Sequence, residues 1–342
     1  MTKRPFGQTG LHVSELCLGT MSFGWRTRLP KALALLDRYH ELGGNFVEAA
    51  GICSDLVAQP DWIGLPESSI GEWLKSRRIP RDEIVVATRM VWSPSLQLPA
   101  GNVAVCCENS LRRLGTDYLD LLVCDWVQPN RGLDDMMAAL TKLVDQGKVR
   151  HLGVSGFNSW RASELARATS SRDLVGVAAV QDSYSLMERR CEPDLLNFSG
   201  SPQLGFLARS PLAGGFLAAP HSDRPLPQEL LRQRNLRRRY KTARGEAVRS
   251  AVETIASDVG TTMAQVALAW VLANPAVSAA VIAPLSLNQL NDSVEASTLD
   301  LAWSQLRRLD LLSSGEPPGF PAAESLPEPF ETKPEAAIPL LS

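Results

Sequence analysis

The stretch Ile84–Val154 decides the predicted fold. It contains three short apolar runs separated by two amphipathic segments, in the order IVVAT (84–88), Val103–Leu114, YLDLLVC (118–124), Leu133–Asp145 and HLGV (151–154). Short apolar runs rich in β-branched residues are typical of buried strands, and apolar residues at helical spacing are typical of amphipathic helices. Alternation of the two predicts parallel strands joined by right-handed helical crossovers.

The same alternation continues on both sides of this stretch. The eight strand-like runs are Val13–Leu18, Asn45–Glu48, Ile84–Thr88, Tyr118–Cys124, His151–Val154, Val177–Gln181, Gly205–Ala208 and Ala279–Ile282. The predicted helices are Pro30–Leu42, Glu67–Ser76, Val103–Leu114, Leu133–Asp145, Ser159–Ala168, a short one at Asp194–Asn197, Glu246–Val259, Thr262–Ala273 and Leu287–Ala296. Eight strand–helix units predict an α/β fold, a (β/α)8 TIM barrel.

We assign residues 1–314 to this barrel. The alternative is an open doubly wound sheet, but no Gly-x-Gly-x-x-Gly turn follows the first predicted strand. An extra C-terminal segment, 315–342, is rich in Pro, Glu and Ala and has little apolar periodicity. We expect it to be a flexible tail or a loose strap over the barrel.

Composition excludes several function classes. The 342 residues carry 35 Lys and Arg against 37 Asp and Glu, a net charge of −2, so no overall basic field favours nucleic acid. The four histidines form no metal-ligand spacing, which predicts no metal site. We see no signal peptide and no uncharged apolar run of the ~18 residues that a membrane span needs. Thinly spread cysteines predict reduced thiols, so we expect a cytoplasmic protein whose partner is a small-molecule substrate, and we leave its oligomeric state open.

In such a barrel the chemistry lies at the C-terminal ends of the strands. Nine segments matter here, most of them at or near predicted strand ends. They read LGTMSFG (18–24), GNFVEAA (44–50), TR (88–89), YLDLLVCDW (118–126), GKVR (147–150), GVS (153–155), QDSYSL (181–186), SPLAGG (210–215) and QVALAW (265–270). In order and spacing they resemble the aldo-keto reductases over about residues 5–312. A weaker resemblance links the chain to bacterial members that act on deoxysugars or other secondary metabolites.

The resemblance implies an NADPH-dependent carbonyl reductase with an Asp, Tyr, Lys and His tetrad. There the Tyr donates a proton while the nicotinamide donates hydride, the Lys lowers the Tyr pKa, and the His orients the substrate oxygen. The positions that match the tetrad here are Glu48, Cys53, Arg89 and Asp125, which we take as candidate catalytic residues. Arginine stays protonated, a thiol donates weakly, and a carboxylate repels a developing alkoxide. We therefore do not expect ordinary carbonyl reduction.

The resemblance also implies a set of cofactor-binding positions. They are Ser155, Gln181, Asp182, Arg209, Ser210, Leu212, Gly215 and Gln289. Several depart from the family pattern: Gly156 follows Ser155 where the family has Asn, Asp182 replaces Asn, and Arg209 replaces the aromatic residue that stacks on nicotinamide. No Lys or Arg occurs between Ala273 and Leu306, where the family offers a cation to a phosphate. We expect either no cofactor or weakly bound NAD(P)H.

Two further groups of residues suggest ligand contacts. The tryptophans Trp25, Trp62, Trp92 and Trp126 follow the first four predicted strands, and they predict either an aromatic wall for a planar or apolar substrate or simple loop packing. The basic segment Arg232–Lys241 predicts either a site that binds a phosphate or a nucleotide-sugar, or simply a solvent-exposed charged face.

Three functions stay open at this point. The first is an enzyme that keeps the reductase fold but carries out acid–base elimination, isomerisation or cyclisation on a small apolar or aromatic metabolite. The second is an NAD(P)H-dependent oxidoreductase with an unusual proton donor. The third is a non-catalytic relative that binds a metabolite or a partner protein. The acids and arginines expected at the barrel mouth favour the first, although they could also be mutual ion pairs.

Overall fold

A parallel β-barrel forms the centre of the molecule. The computed structural model describes residues 1–50, 64–91, 100–125, 133–156, 175–193, 204–218 and 238–314. Its barrel strands are β3 (Leu16–Gly19), β4 (Phe46–Ala50), β5 (Val85–Val91), β6 (Leu119–Asp125), β7 (Val149–Ser155), β8 (Val177–Ser183), β9 (Gly205–Arg209) and β10 (Ala279–Ile282). Each pairs in parallel with the next, and β10 closes the ring onto β3. The predicted (β/α)8 TIM barrel is confirmed.

Helices surround the barrel in the described ranges. They are α1 (Leu29–Glu41), α2 (Leu65–Arg77), α3 (Ala100–Leu114), α4 (Leu133–Asp145), α5 (Ala243–Val259), α6 (Met263–Leu272), α7 (Leu287–Glu295) and α8 (Trp303–Ser313). Thr262 begins α6 with a capping box, because its side chain accepts from the backbone N–H of Gln265 while the Gln265 amide oxygen accepts from the backbone N–H of Thr262. Among the described residues no single helix is both long and apolar enough to cross a membrane; α5 and α6 meet that test only when joined across a 102° bend.

The N-terminal residues seal the bottom of the barrel. Strand β1 (Lys3–Pro5) pairs antiparallel with β2 (His12–Ser14). The fully buried ring of Phe6, in the turn between them, meets the ring of Phe46 edge-on at 5.5 Å between centroids. Gly205 leaves room for that ring, since a Cβ there would lie 2.7 Å from it. The packed bottom leaves the opposite end, where the strands finish, for the site.

Two parts of the architecture differ from the sequence prediction. The predicted strand Val13–Leu18 is two strands broken at Glu15, whose carboxylate pairs with Arg4 at 2.8 Å; alternation of apolar residues does not reveal that the chain turns from hairpin to barrel there. Helix α8 was not predicted either. The predicted helices Ser159–Ala168 and Asp194–Asn197 and the tail lie outside the described residues.

Strand alternation points Glu48 and Arg89 into the barrel. Thr88 faces outward, where its hydroxyl donates to Glu67 Oε1 of α2 at 2.7 Å, and Arg113 of α3 holds the other carboxylate oxygen at 2.5 Å. Because successive side chains of a strand point to opposite faces, Arg89 then faces the barrel interior. The same period places Glu48 inward beside the outward-facing Val47 and Ala49.

Candidate active site

Glu48 is the middle residue of β4, with only 8% of its surface exposed. Its Oε1 accepts a hydrogen bond of 2.5 Å from Nε2 of the fully buried Gln181, on β8. Burial raises the pKa of the Glu48 carboxyl, although the charge of Arg89 and the Gln181 bond act in the opposite direction. Glu48 is therefore a carboxyl that keeps its proton to a higher pH than an exposed glutamate does.

Arg89 and Asp125 form an ion pair beside Glu48. Arg89 Nε donates to Asp125 Oδ1 at 2.8 Å, and Nη2 donates to Oδ2 at 2.5 Å. Their side chains are 18% and 10% exposed, so the pair is largely shielded from water. This two-bond geometry is the strong form of an arginine–carboxylate contact. It uses the Nε and Nη2 N–H groups of Arg89, which are then not available to Glu48.

A second acid and a second arginine lie on the far side of the mouth. Asp182 Oδ1 accepts the backbone N–H of Ser183 at 2.7 Å, and burial raises the pKa of this carboxyl as well. Arg209, at the end of β9, donates to the hydroxyl of Ser183 at 3.2 Å. The predicted residues Glu48, Arg89, Asp125, Asp182 and Arg209 thus come to one end of the barrel and act on one another electrostatically.

The residues predicted to hold a nicotinamide group lie in register. Ser155 of β7 is the strand partner of both Asp125 and Gln181, and it is buried. The buried Oε1 of Gln181 has no hydrogen-bond partner within the described ranges. A buried acceptor without a partner costs free energy, so this oxygen suits an N–H or O–H donor such as a carboxamide. The site fits that end of a nicotinamide cofactor.

The turn after β9 has the conformation of an anion-binding loop. Ser210, Ala213, Gly214 and Gly215 all have positive φ, at 55°, 50°, 64° and 87°. Part of the backbone is already used, because Ala213 N–H donates to Ser210 and Gly215 N–H donates to Leu212. A right-handed residue followed by a left-handed one, here Leu212 (φ −94°, ψ 15°) and Ala213 (φ 50°), turns successive backbone N–H groups toward a shared concavity that anions favour.

Side chains at the start of α7 already accept hydrogen bonds from backbone N–H groups of the same segment. Gln289 Oε1 accepts the N–H of Leu285 at 2.7 Å, and Ser286 Oγ accepts the N–H of Gln289 at 3.2 Å. No Lys or Arg between Ala273 and Leu306 supplies a charge here. This helix start therefore offers little to a phosphate.

Four of the predicted site residues, Cys53, Trp62, Trp92 and Trp126, lie outside the described residues. Trp25 lies in the turn after β3, partly exposed, and donates from Nε1 to the carbonyl of Met21 at 2.7 Å. Of the basic segment Arg232–Lys241, only residues 238–241 are described.

The described end of that segment packs onto the barrel. Tyr240 is buried, and Arg239 donates to the buried carboxylate of Glu188 at 3.2 Å. These contacts give Arg239 a structural role that neither sequence interpretation of the segment included.

Sequence reasoning missed two relationships at the site. It assigned Gln181 to a cofactor and did not pair it with Glu48, and it passed over Ser183, the hydroxyl that binds Arg209. Period-two alternation would have placed Ser183 on the same face of β8 as Gln181. Contacts across the barrel leave no such signal in the sequence.

Comparison with known proteins now identifies the family. A family model described as the aldo/keto reductase family matches residues 15–313. The chain belongs to the aldo/keto reductase family. Proteins of this family generally bind NAD(P)H.

Individual relatives of this aldo/keto reductase family chain span most of its length. The uncharacterized oxidoreductase YrpG of Bacillus subtilis (strain 168) is 31% identical over 322 residues, which cover 90% of this chain and 95% of that protein. A probable voltage-gated potassium channel subunit beta of Oryza sativa subsp. japonica is 26% identical over 306 residues, 86% of this chain and 91% of that protein.

A solved structure agrees with the fold. The thermostable aldo-keto reductase Tm1743, in complex with the inhibitor epalrestat, superposes with a TM-score of 0.70 and 25% sequence identity. The match covers 91% of this chain and all of that one.

Proposed function

We propose that this aldo/keto reductase family protein is an acid–base enzyme that acts on a small apolar or aromatic metabolite, with Glu48 as the group that transfers the proton. One observation carries the proposal: Glu48 is a buried carboxyl of β4 inside the barrel, bound to Gln181 and not to an arginine in the described structure. Such a carboxyl is suited to donate a proton and to take one back.

Elimination, isomerisation and cyclisation all need proton transfer to or from a polarised substrate. A protonated Glu48 would donate to an oxygen or an alkene carbon, and the resulting carboxylate would abstract a proton from a neighbouring carbon. A positioned acid or base of this kind contributes on the order of 10²–10⁴ in rate. The Gln181 amide keeps the carboxyl oriented in either protonation state, because its N–H bonds the carboxyl oxygen in both.

The arginines define what the intermediate can be. The Arg89–Asp125 pair is neutral as a unit and places a fixed dipole beside Glu48. Arg209, held by Ser183, supplies positive charge on the other side of the mouth. A fixed cation aimed at a developing oxyanion stabilises an enolate, so we expect substrates with a carbonyl group next to the carbon that loses or gains the proton.

A second candidate is a nicotinamide-dependent oxidoreductase with Glu48 as its proton donor. It is supported by the unpartnered Gln181 Oε1, which with Ser155 fits a carboxamide, and by the Ser210–Gly215 turn, which fits a diphosphate. When bound, the cofactor would supply hydride. No Lys or Arg occurs between Ala273 and Leu306, the stretch that contains the helix start at Ser286, so we expect NADH to bind better than NADPH.

Deuterium incorporation tests the first candidate. Wild type, Glu48→Gln and Glu41→Gln would be incubated in heavy water with a panel of apolar and aromatic ketones and enones, and the products analysed by mass spectrometry. Glu41 is the matched control because it takes the same substitution at an exposed carboxylate, one that pairs with Arg38 on the surface. We expect incorporation without cofactor in wild type and Glu41→Gln, reduced at least about 100-fold in Glu48→Gln. Equal incorporation in all three proteins would contradict a catalytic role for Glu48.

Cofactor titration separates the two candidates. Calorimetric titration with NADH and NADPH would be combined with assays of the same ketone panel in the presence of each. Turnover that requires the cofactor, with loss of its reduced absorbance, would select the oxidoreductase. Proton exchange that neither cofactor changes would select the acid–base enzyme.

A further inference from the structure

Arg89 has an inward-facing carboxyl on each of its two neighbouring strands. Its register partners are Ala50 on β4 and Val123 on β6. Glu48 lies two residues before Ala50, and Asp125 lies two residues after Val123. Because side chains two residues apart share a face, Arg89 lies in register between two inward acids, Glu48 on the barrel-bottom side and Asp125 on the mouth side.

The structure shows which acid the guanidinium binds. It donates two hydrogen bonds to Asp125, at 2.8 and 2.5 Å. No hydrogen bond or ion pair joins Arg89 to Glu48 in the described part of the chain, and Glu48 is bound by the neutral amide of Gln181 instead. The two acids therefore have different partners, one charged and one neutral.

We propose that Asp125 is a positioning residue that keeps Glu48 protonated by holding the guanidinium of Arg89 on the mouth side of the barrel. The inference rests on the proposed role of Glu48. It assigns to Asp125 an action through Arg89, and it does not require Asp125 to touch the substrate.

The groups that act electrostatically on Glu48 support this division. From the neighbouring and opposite strands they are the Cys17 thiol, the Arg89 and Arg209 guanidiniums, the Asp125 carboxylate and the Gln181 amide. Burial raises the pKa of Glu48, the two arginines lower it, and Asp125 raises it. Removing Asp125 would leave Arg89 as a largely buried cation without its partner, which is strongly unfavourable. Glu48 is then the inward carboxyl on the adjacent strand that Arg89 can bind.

The experiment is a pH titration followed by infrared difference spectroscopy. The carboxylic-acid band that disappears in Glu48→Gln reports the proton on Glu48. In Asp125→Asn we expect the midpoint of that band to fall by about 1 pH unit or more, a tenfold change in proton affinity. Asp125→Glu keeps a carboxylate for Arg89, so its midpoint is expected to lie close to that of wild type. Glu41→Gln is expected to leave the midpoint unchanged.

A double variant keeps the test decisive if Asp125→Asn does not fold. Arg89→Gln with Asp125→Asn removes both charges together, so no buried charge is left without a partner. We expect its midpoint to lie at or above that of wild type, because the cation that would stabilise the Glu48 carboxylate is gone. A midpoint below wild type in the double variant would overturn the inference, as would an unchanged midpoint in folded Asp125→Asn.

These outcomes separate the inference from the proposed function. If Glu48→Gln abolishes deuterium incorporation while Asp125→Asn leaves the midpoint unchanged, the inference fails and the function stands. If the midpoint moves as expected while Glu48→Gln keeps full incorporation, Asp125 controls the protonation of a residue that the reaction does not use.

Discussion

Gln181 and Glu48 meet across the full width of the barrel. Their strands, β8 and β4, are four places apart in a ring of eight, yet Gln181 Nε2 lies 2.5 Å from Glu48 Oε1. The contact places a carboxyl inside the barrel and pairs it with a neutral amide, while the arginine on its neighbouring strand binds Asp125. That separation is the basis for treating Glu48 as a proton donor and Arg89–Asp125 as a distinct pair.

Replacing Gln181 with leucine should raise the pKa of Glu48. The Gln181 N–H stabilises the ionised carboxylate and so lowers that pKa. A hydrogen bond to a charged group contributes about 1.5–3 kcal/mol, which corresponds to an upward shift of about 1–2 units. An NMR titration of the Glu48 carboxyl carbon measures the shift. A downward shift would show that the amide favours the protonated form.

Wild type should lose stability relative to Glu48→Gln as the pH rises. Since burial raises the pKa of Glu48 above its ordinary value of 4.5, the folded state holds the proton where the unfolded state has released it. The unfolded state then binds fewer protons, and the free energy of unfolding falls with pH above that value. Each unit between the two pKa values contributes about 1.4 kcal/mol.

Denaturant unfolding of both proteins over a pH series measures this difference. Its control is Glu41→Gln, whose exposed carboxylate should give a curve parallel to wild type. A difference between wild type and Glu48→Gln that does not change with pH would contradict burial of the Glu48 carboxyl.

Glu67→Ala should destabilise the fold strongly. The Glu67 side chain is fully buried, and it joins Thr88 of β5 to Arg113 of α3. Removing one partner of such a buried pair costs about 3–5 kcal/mol; the exposure of Arg113, at 25%, argues for the lower end. Glu41→Ala, at an exposed pair, should cost under about 1 kcal/mol. Similar unfolding midpoints for the two variants would refute the difference.

Four thiols should resist alkylation in the native protein. Cys17, Cys107, Cys124 and Cys191 are buried, and burial raises the pKa of Cys107 to about 11 and that of Cys124 to about 12. Only a thiolate attacks an alkylating reagent. Brief iodoacetamide treatment followed by peptide mass mapping should leave these four unmodified until denaturant is added. Modification of Cys124 in folded protein would contradict the packing between barrel and helices.

Much of the fold could be predicted because strand–helix alternation is a local signal. The run Leu133–Asp145 and the strand Ala279–Ile282 have the predicted bounds. The hairpin was missed because Val13 to Leu18 is apolar throughout except at Ser14 and Glu15, and a break at Glu15 depends on its contact with Arg4. Helix α8 packs against α5, a contact that its own sequence does not specify.

The candidate site was predictable in place but not in pairing. Glu48, Arg89 and Asp125 lie on three successive barrel strands, so their convergence follows from the fold. Which acid binds Arg89 depends on strand register. The register partners of Arg89 are Val123 and Ala50; Asp125 lies two residues after Val123, and Glu48 lies two residues before Ala50. The pair between Glu48 and Gln181 depends on barrel closure. Neither is encoded in residues that are near in sequence.

The most direct test of the account is the protonation state of Glu48 in the wild-type protein. Infrared difference spectra between wild type and Glu48→Gln, recorded over a pH series, report one carboxyl group. We predict a protonated carboxyl that persists above the ordinary glutamate pKa of 4.5, because burial raises the pKa of Glu48. A Glu48 that ionises at or below that value would contradict the central claim that this residue is the proton donor of the site.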